Sequence, residues 1–177
     1  MQQYDVGVLV DFAANGGSTP TQVVPSGFTL LKTDTVSFFR GVASYKLFDG
    51  TESGSTLTGM SGDSRVTKTL LVFRPDAPIT TVTASTWLGE ATTGDPSSQS
   101  IAASGQPAPL VRIAGANGSG TTNPTLTGTF DATVTQGSGT GRQVVGYSVQ
   151  NSSPADDSVD MNDVGTNWLV SGYLRFA

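Results

Sequence analysis

The sequence predicts an all-β protein, an antiparallel β-sandwich of jelly-roll-like type with eight to ten strands in a single domain, 1–177. Short runs rich in β-branched and aromatic residues alternate polar and apolar positions, and clusters of Gly, Pro, Asn and Asp separate these runs. No segment carries an apolar stripe of helical period. A chain of 177 residues is long enough for one two-layer core. Together these features favour two packed antiparallel sheets.

The first strand is predicted at residues 4–12, where Val6, Val8 and Val10 share one face. Further strands in the first half are predicted at 28–31, 36–48 (one long strand or two short ones), 66–74 and 79–88. Asp49-Gly50 marks a turn, and Pro75 ends a strand because proline cannot donate to a strand ladder. Residues 66–74 are partly apolar on both faces, which is typical of a strand covered on both sides.

The second half repeats this pattern. Strands are predicted at 100–103 (weak), 110–114, 125–135, 143–150 and 168–176. The Gly-rich stretches 115–120 and 117–123, the turn 137–141 and the acidic stretch 151–163 are predicted to be loops. Large apolar residues of the most regular strands are expected to form one core: Leu70, Val72, Val144, Trp168, Val170 and Leu174.

Composition excludes much of the usual chemistry of enzymes. The chain contains no Cys and no His, so it lacks a thiol nucleophile, an imidazole base and the soft ligands of zinc sites. Its net charge is −5 and its nine Lys and Arg are scattered, which argues against nucleic acid as a partner. No apolar run approaches the ~20 residues of a membrane span, and residues 1–5 do not begin a signal peptide. We expect no catalytic residue and no cofactor.

The acidic stretch is the first candidate site. Its oxygen-bearing side chains could suit calcium, which prefers oxygen ligands. The calcium-loop pattern, however, requires Gly where Met161 stands and a closing Glu where Asn167 stands. A solvated acidic loop is the alternative, and we expect folding to be independent of metal. The residues concerned are Asp156, Asp157, Ser158, Asp160, Asn162 and Asp163.

Two further candidates are carboxylates and aromatic residues. A glycosidase needs two carboxyl groups across a cleft, but many of the fourteen acidic residues stand in turns, and no two can be paired from sequence. Aromatic side chains could stack on sugars or could belong to the core. Trp168 and Tyr173 are five positions apart, so they are expected to face opposite sides of one strand. The other aromatic candidates are Trp87, Tyr45 and Tyr147.

Three segments resemble a loose class of jelly-roll-like domains in bacteriophage virion proteins and bacterial surface proteins. They are 25–31 (PSGFTLL), 44–55 (SYKLFDGTESGS) and 70–74 (LLVFR), within a match that spans about 5–115. The resemblance carries no catalytic residues. Such domains usually have a strand before the one that begins here at Tyr4, so an open sheet edge is expected there.

The resemblance implies a structural protein of the virion surface, such as a capsid decoration protein, a head fibre or a tail-associated domain. A decoration protein, made in the host cytoplasm and released with the particle, is the first expectation. It would bind the major capsid protein or other virion proteins, and a trimer would suit a capsid three-fold axis. The alternative is a carbohydrate-binding adhesin domain of a head or tail fibre, with a host glycan as ligand. A polysaccharide hydrolase is the weakest of the three hypotheses.

Overall fold

The computed structural model describes residues 1–52, 54–61, 65–118, 124–138, 141–162 and 166–177. Within these ranges the regular elements are all β-strands, and every strand pairing is antiparallel, which confirms the predicted class. The strands are β1 (Gln3–Ala14), β2 (Thr29–Val36), β3 (Phe39–Asp49), β4 (Arg65–Phe73), β5 (Val82–Ala84), β6 (Leu88–Thr93), β7 (Gln99–Ile101), β8 (Leu110–Gly118), β9 (Thr125–Thr127), β10 (Ala132–Ser138), β11 (Gly141–Gln150), β12 (Asp157–Asn162) and β13 (Thr166–Phe176).

The strands form three sheets. The first has the order β2-β3-β1-β4, and the second has the order β10-β11-β8-β13-β5, with β6 also paired to β13. A small third sheet has the order β7-β12-β9. The described residues thus contain thirteen strands, more than the eight to ten predicted, because three-residue strands such as β5 and β9 are too short to show an alternating pattern.

The main core lies between the first two sheets. Val6, Val8 and Val10 of β1 face it, as their alternation predicts, and Trp168, Val170 and Leu174 of β13 meet them from the second sheet. Several glycines in these strands lie directly beneath aromatic rings. A Cβ atom on Gly172 would lie 2.6 Å from the ring of Trp87, and one on Gly41 would overlap the ring of Trp168. Each aromatic ring therefore occupies the space where a side chain on the glycine would otherwise stand, and this gives close packing.

Both main sheets are also covered on their outer faces. Loop residues cover the first sheet, where Phe28 and Phe48 pack with Leu9. The third sheet covers the second, where Val159 and Met161 of β12 pack on it. The predicted single core is therefore wrong in three positions. Leu70 and Val144 belong to these outer clusters, and Val72 is 44% exposed on β4.

The predicted open edge at the first strand is also wrong. β1 lies between β3 and β4 and is hydrogen-bonded on both sides, with Val8 opposite Tyr45 on one side and Leu71 on the other. Residues 5–14 are all buried. The first strand therefore lies inside its sheet, and its long apolar run is explained by the covering of both its faces.

Several predicted boundaries also differ from the structure. The run 36–48 includes the turn before β3, and the run 79–88 contains the whole of β5 and the first residue of β6. The run 125–135 divides into β9 and β10, which belong to different sheets. Of the predicted loop 115–120, residues 115–118 continue β8 as buried strand, because small residues pack closely there; Gly115 faces Val10. Residues 119–120 lie outside the described ranges.

Candidate functional site

The acidic stretch does not form a calcium loop in the described residues. Residues 157–162 of it form strand β12, and its carboxylates bind neighbouring backbone groups instead of converging. Asp156 accepts the Ser104 N–H at 2.6 Å, and Asp160 accepts the Met161 N–H at 2.8 Å. Within the described ranges no group of three or more acidic residues could hold a metal ion, and Asp163 lies outside them. The solvated-loop hypothesis is corrected as well, since Val159 and Met161 are buried.

Turn carboxylates have structural roles, as their sequence context predicts. Asp49 accepts hydrogen bonds from the backbone N–H and the hydroxyl of Thr51, at 2.9 and 2.6 Å. Glu52 accepts the Gly50 N–H at 3.1 Å and forms an ion pair with Lys46 at 2.8 Å. These carboxylates close the turn after β3.

The aromatic candidates do not form one platform. Trp87 and Trp168 are buried, with exposed fractions of 5% and 1%. Trp168 belongs to the main core while Tyr173 packs on the cluster under the third sheet, so the predicted opposite orientation is confirmed. Tyr45 and Tyr147 are half-buried against the main core. The two tryptophans are therefore packing residues and cannot stack on a sugar.

A buried arginine, missed by the sequence analysis, anchors the third sheet. The Arg112 guanidinium, 4% exposed, forms an ion pair with Asp157 at 3.3 Å. It also donates to the Ala155 carbonyl at 3.2 Å and to the Ser148 hydroxyl at 3.2 Å. One planar cation thus joins β8, β11 and β12 by bonds of fixed direction. The signal in the sequence is a lone charge inside an apolar run, LVRIA.

Polar side chains also join the two main sheets. The Gln143 amide donates to the Val10 carbonyl at 3.3 Å and accepts the Thr69 hydroxyl at 2.7 Å. The Asn117 amide donates to the Thr67 hydroxyl at 3.1 Å, so this residue is a buried strand residue and not the loop residue predicted. Buried bonds of this kind favour a single alignment of the sheets.

Asp11 is a buried carboxylate on the outer face of β1. It accepts the Met60 N–H and so holds the strap of residues 54–61 against the sheet. Its second oxygen, Oδ1, has no hydrogen-bond partner within the described ranges. Burial raises the pKa of Asp11 to about 6, against the opposing effects of the Met60 hydrogen bond and the Lys68 charge.

We expect this carboxyl to make the protein less stable as the pH rises. Because the folded-state pKa of about 6 exceeds the ordinary aspartate pKa of 3.8, the folded protein holds the proton more tightly, and the free energy of unfolding falls between these pH values. The loss is at most about 3 kcal/mol. Urea unfolding at pH 4 and pH 7.5 measures it. Asp34 also has a raised pKa, so the contribution of Asp11 is the difference between wild type and Asp11→Asn, whose amide oxygen can still accept the Met60 N–H. Equal pH dependence in both proteins would contradict the assignment.

A concave feature of the described residues lies where β4 and β13 end. We call it the end cleft: an apolar depression of about 470 Å³. Its floor is buried core, and its open wall carries exposed Val149 and half-buried Phe73, whose ring lies 6.4 Å from that of Phe176. Four segments distant in sequence, 73–79, 109–111, 149–151 and Phe176, contribute its lining, so no local motif marks it. The lining comprises Phe73, Arg74, Pro75, Asp76, Ala77, Ile79, Pro109, Val111, Val149, Asn151 and Phe176.

The rim of the end cleft is held by an ion pair. Arg74 Nε and Nη2 donate to the two carboxylate oxygens of Asp5 at 2.8 and 2.9 Å, and Asp5 also accepts the Gln2 N–H at 2.8 Å. The Arg74 hydrogen bonds, opposed by burial, hold the pKa of Asp5 at about 2. Arg74 therefore fixes the segment that leaves β4 and gives the cleft a polar border.

Among the described residues, the charged side chains that line the end cleft are Arg74 and Asp76. The cleft combines an apolar floor with a charged and amide-bearing rim, an arrangement typical of contact surfaces. In the ranges that the structure describes, no helical segment has the length and hydropathy of a membrane span. Comparison with protein-family models, with curated protein sequences and with solved structures found no match.

Proposed function

We propose that this chain is a non-enzymatic structural protein of a bacteriophage virion, a capsid decoration protein that acts by contact with the particle surface. The observation that carries the proposal is that the buried charged side chains have structural roles. Asp5, Asp11, Glu52 and Arg112 each hold a loop or a covering strand in place. A molecule whose buried charges stabilise its own layers is suited to a role in which its surface contacts a partner.

The segments that carry the resemblance to virion surface domains support this proposal. They meet in one cluster on the outer face of the first sheet, where the rings of Phe28 and Phe48 lie edge to face at 6.2 Å. Leu70 packs in the same cluster. The Lys46 side chain closes it, 3.3 Å from the position of a Cβ on Gly27. The three segments therefore stabilise the fold by packing together, which suits a protein whose function is architectural.

We further propose that the two main sheets form a β-sandwich. Their shared core of large side chains supports this description. The jelly-roll type is the finer part of this proposal, and it rests on the resemblance of the segments 25–31, 44–55 and 70–74.

We propose the end cleft as the place of contact with the major capsid protein. An apolar centre with a polar rim is the usual anatomy of protein interfaces. A stable contact would bury at least ~1,000 Å², so the cleft would be its centre and the neighbouring surface its border. The adhesin alternative would need sugar-stacking residues other than the two buried tryptophans.

Rebinding to capsids stripped of this protein tests the proposal. We expect saturation at a fixed stoichiometry and little loss at moderate salt, because few charges are available to be screened. Val149→Asp, in the cleft wall, is expected to weaken rebinding at least about tenfold. The matched control is Leu88→Asp, an equally exposed residue on β6 outside the cleft. A protein that ignores capsids but binds a host glycan would replace this proposal with the adhesin alternative.

A further inference from the structure

Another concave feature lies on the outer face of the second sheet, beside β7 of the third sheet. We call it the side pocket: residues 171–173 of β13 form its floor, and the segments 85–88 and 100–102 form its two walls. Its volume is about 220 Å³. Pockets that enclose drug-sized ligands have volumes of ~300–1,000 Å³, so the side pocket has room for one small ring.

Tyr173 is the aromatic residue of the floor. Its ring is half-buried and packs against the cluster under the third sheet. Its hydroxyl makes no hydrogen bond within the described part of the chain. Leu88, which is 40% exposed, adds an apolar patch to one wall. The ring and this aliphatic side chain together offer a surface on which the C–H face of a ligand can pack.

The polar groups of the two walls are hydroxyls. Thr86 and Ser100 are exposed, and their hydroxyls have no hydrogen-bond partner among the described residues. The Ser85 hydroxyl accepts the Tyr173 N–H at 3.0 Å and keeps its own proton to donate. We call the hydroxyls of these three serine and threonine residues the wall hydroxyls. They offer both donors and acceptors to a ligand that carries hydroxyls of its own.

Hydrogen bonds hold both walls of the side pocket in place. On one side, the Gln99 amide of β7 accepts the Ser171 hydroxyl at 2.7 Å and donates to the Leu169 carbonyl at 3.2 Å, all three residues being buried. On the other side, the Ser85 N–H donates to the Tyr173 carbonyl at 3.0 Å. A pocket whose walls are already fixed loses less conformational freedom when it binds a ligand.

The chemistry of the lining restricts the kind of ligand. In the ranges that the structure describes, the side chains that line the side pocket carry no charge. An ion would lose water there without gaining a countercharge, which is costly. A wholly apolar ligand would leave the wall hydroxyls without partners. A sugar ring avoids both costs, because it is neutral and has hydroxyls at its edge and C–H groups on its faces.

We propose that the side pocket binds one neutral sugar ring, with a C–H face of the sugar on the Tyr173 ring and its hydroxyls towards the wall hydroxyls. Binding is expected to be weak, with a Kd on the order of 1 mM, because the pocket can enclose only one ring. This inference goes beyond the proposed function and does not depend on it, since the side pocket and the end cleft share no lining residue.

Titration of the ¹⁵N-labelled protein with neutral sugars tests the site. The probes are D-glucose, D-galactose, D-mannose and N-acetyl-D-glucosamine, each added to about 100 mM, far above the expected Kd. We expect at least one of them to shift the amide signals of 85–88, 100–102 and 171–173 in a saturable manner. The absence of a saturable shift with all four sugars, or shifts centred elsewhere in the protein, would overturn the proposal.

Filling the side pocket should abolish this response. Ser100→Trp places an indole in the pocket from an exposed position of its wall, and binding should weaken at least about tenfold. The matched control is Ser104→Trp, at an exposed position outside the pocket, which should bind the sugar as the wild type does. Thermal unfolding shows whether each variant is folded. Unchanged binding in Ser100→Trp would contradict the assignment of the site.

A second pair of variants tests the role of the tyrosine hydroxyl. Tyr173→Phe keeps the ring and removes one hydrogen bond to the sugar, so binding should weaken about threefold to tenfold. Tyr147→Phe is the matched control, because Tyr147 is half-buried against the main core and does not line the side pocket. Equal affinities of Tyr173→Phe and Tyr147→Phe for the sugar would show that Tyr173 does not contact it.

Discussion

Replacing Gly41 with alanine is expected to lower the free energy of unfolding by about 3 kcal/mol or more, the upper end of the usual cost of overpacking. Gly41 lies in β3 opposite Phe12, under the indole of Trp168. A Cβ there would overlap the ring atoms Cδ2 and Cε2. The ring cannot easily move, because it is 1% exposed and its Nε1 donates to Asp34 at 3.5 Å. Alanine would otherwise favour a strand, so the clash decides the sign.

Equilibrium urea unfolding measures this effect. The control is Gly17→Ala, where an added Cβ meets nothing within 4 Å, and its change should be within about 0.5 kcal/mol. Combining Gly41→Ala with Trp168→Leu should cost less than the sum of the single changes, because the smaller side chain removes the clash. Additive costs, or a Gly41→Ala protein as stable as the wild type, would show that the ring does not occupy this space.

Strong alternation and strand-ending residues were sufficient to predict the class of fold. Val6, Val8 and Val10 lie on the predicted face of β1, and β4 ends at Phe73, just before Pro75. Both are local properties, since side-chain period and proline geometry act within a few residues. The partners of each strand depend on distant chain segments. The central place of β1 in its sheet therefore could not be predicted from its own residues.

The candidate site shows the same limit. Lone charges in apolar strands, such as Arg112 and Asp11, are local signals that could have indicated buried anchors. In β12 the alternation of Val159 and Met161 was obscured by the acidic residues around them. The end cleft has no local signal, because its walls are brought together only when β4, β11 and β13 end at the same place.

When both faces of a strand are apolar, the sequence pattern does not show which face is buried. A pair of substitutions tests this point for β4, with a residue of β13 as the comparison. Leu174→Ala is expected to cost about 3–5 kcal/mol, because Leu174 is fully buried between the sheets and its removal leaves a cavity. Val72→Ala is expected to cost less than about 1 kcal/mol, although the sequence pattern of β4 placed Val72 in the same core.

The physical reason for this difference in cost is that the outer face of β4 is left uncovered at Val72. Its two faces are both partly apolar, but Leu71 and Phe73 meet the second sheet, whereas Val72 lies on the outer face where the covering loops do not shield it. Burial, and not hydrophobicity, then determines the cost of truncation, since an exposed methyl group loses little contact with its neighbours. Urea unfolding of the two variants measures both costs. Similar losses in the two proteins would mean that a partner covers Val72, and two small losses would mean that β13 does not form the centre of the core.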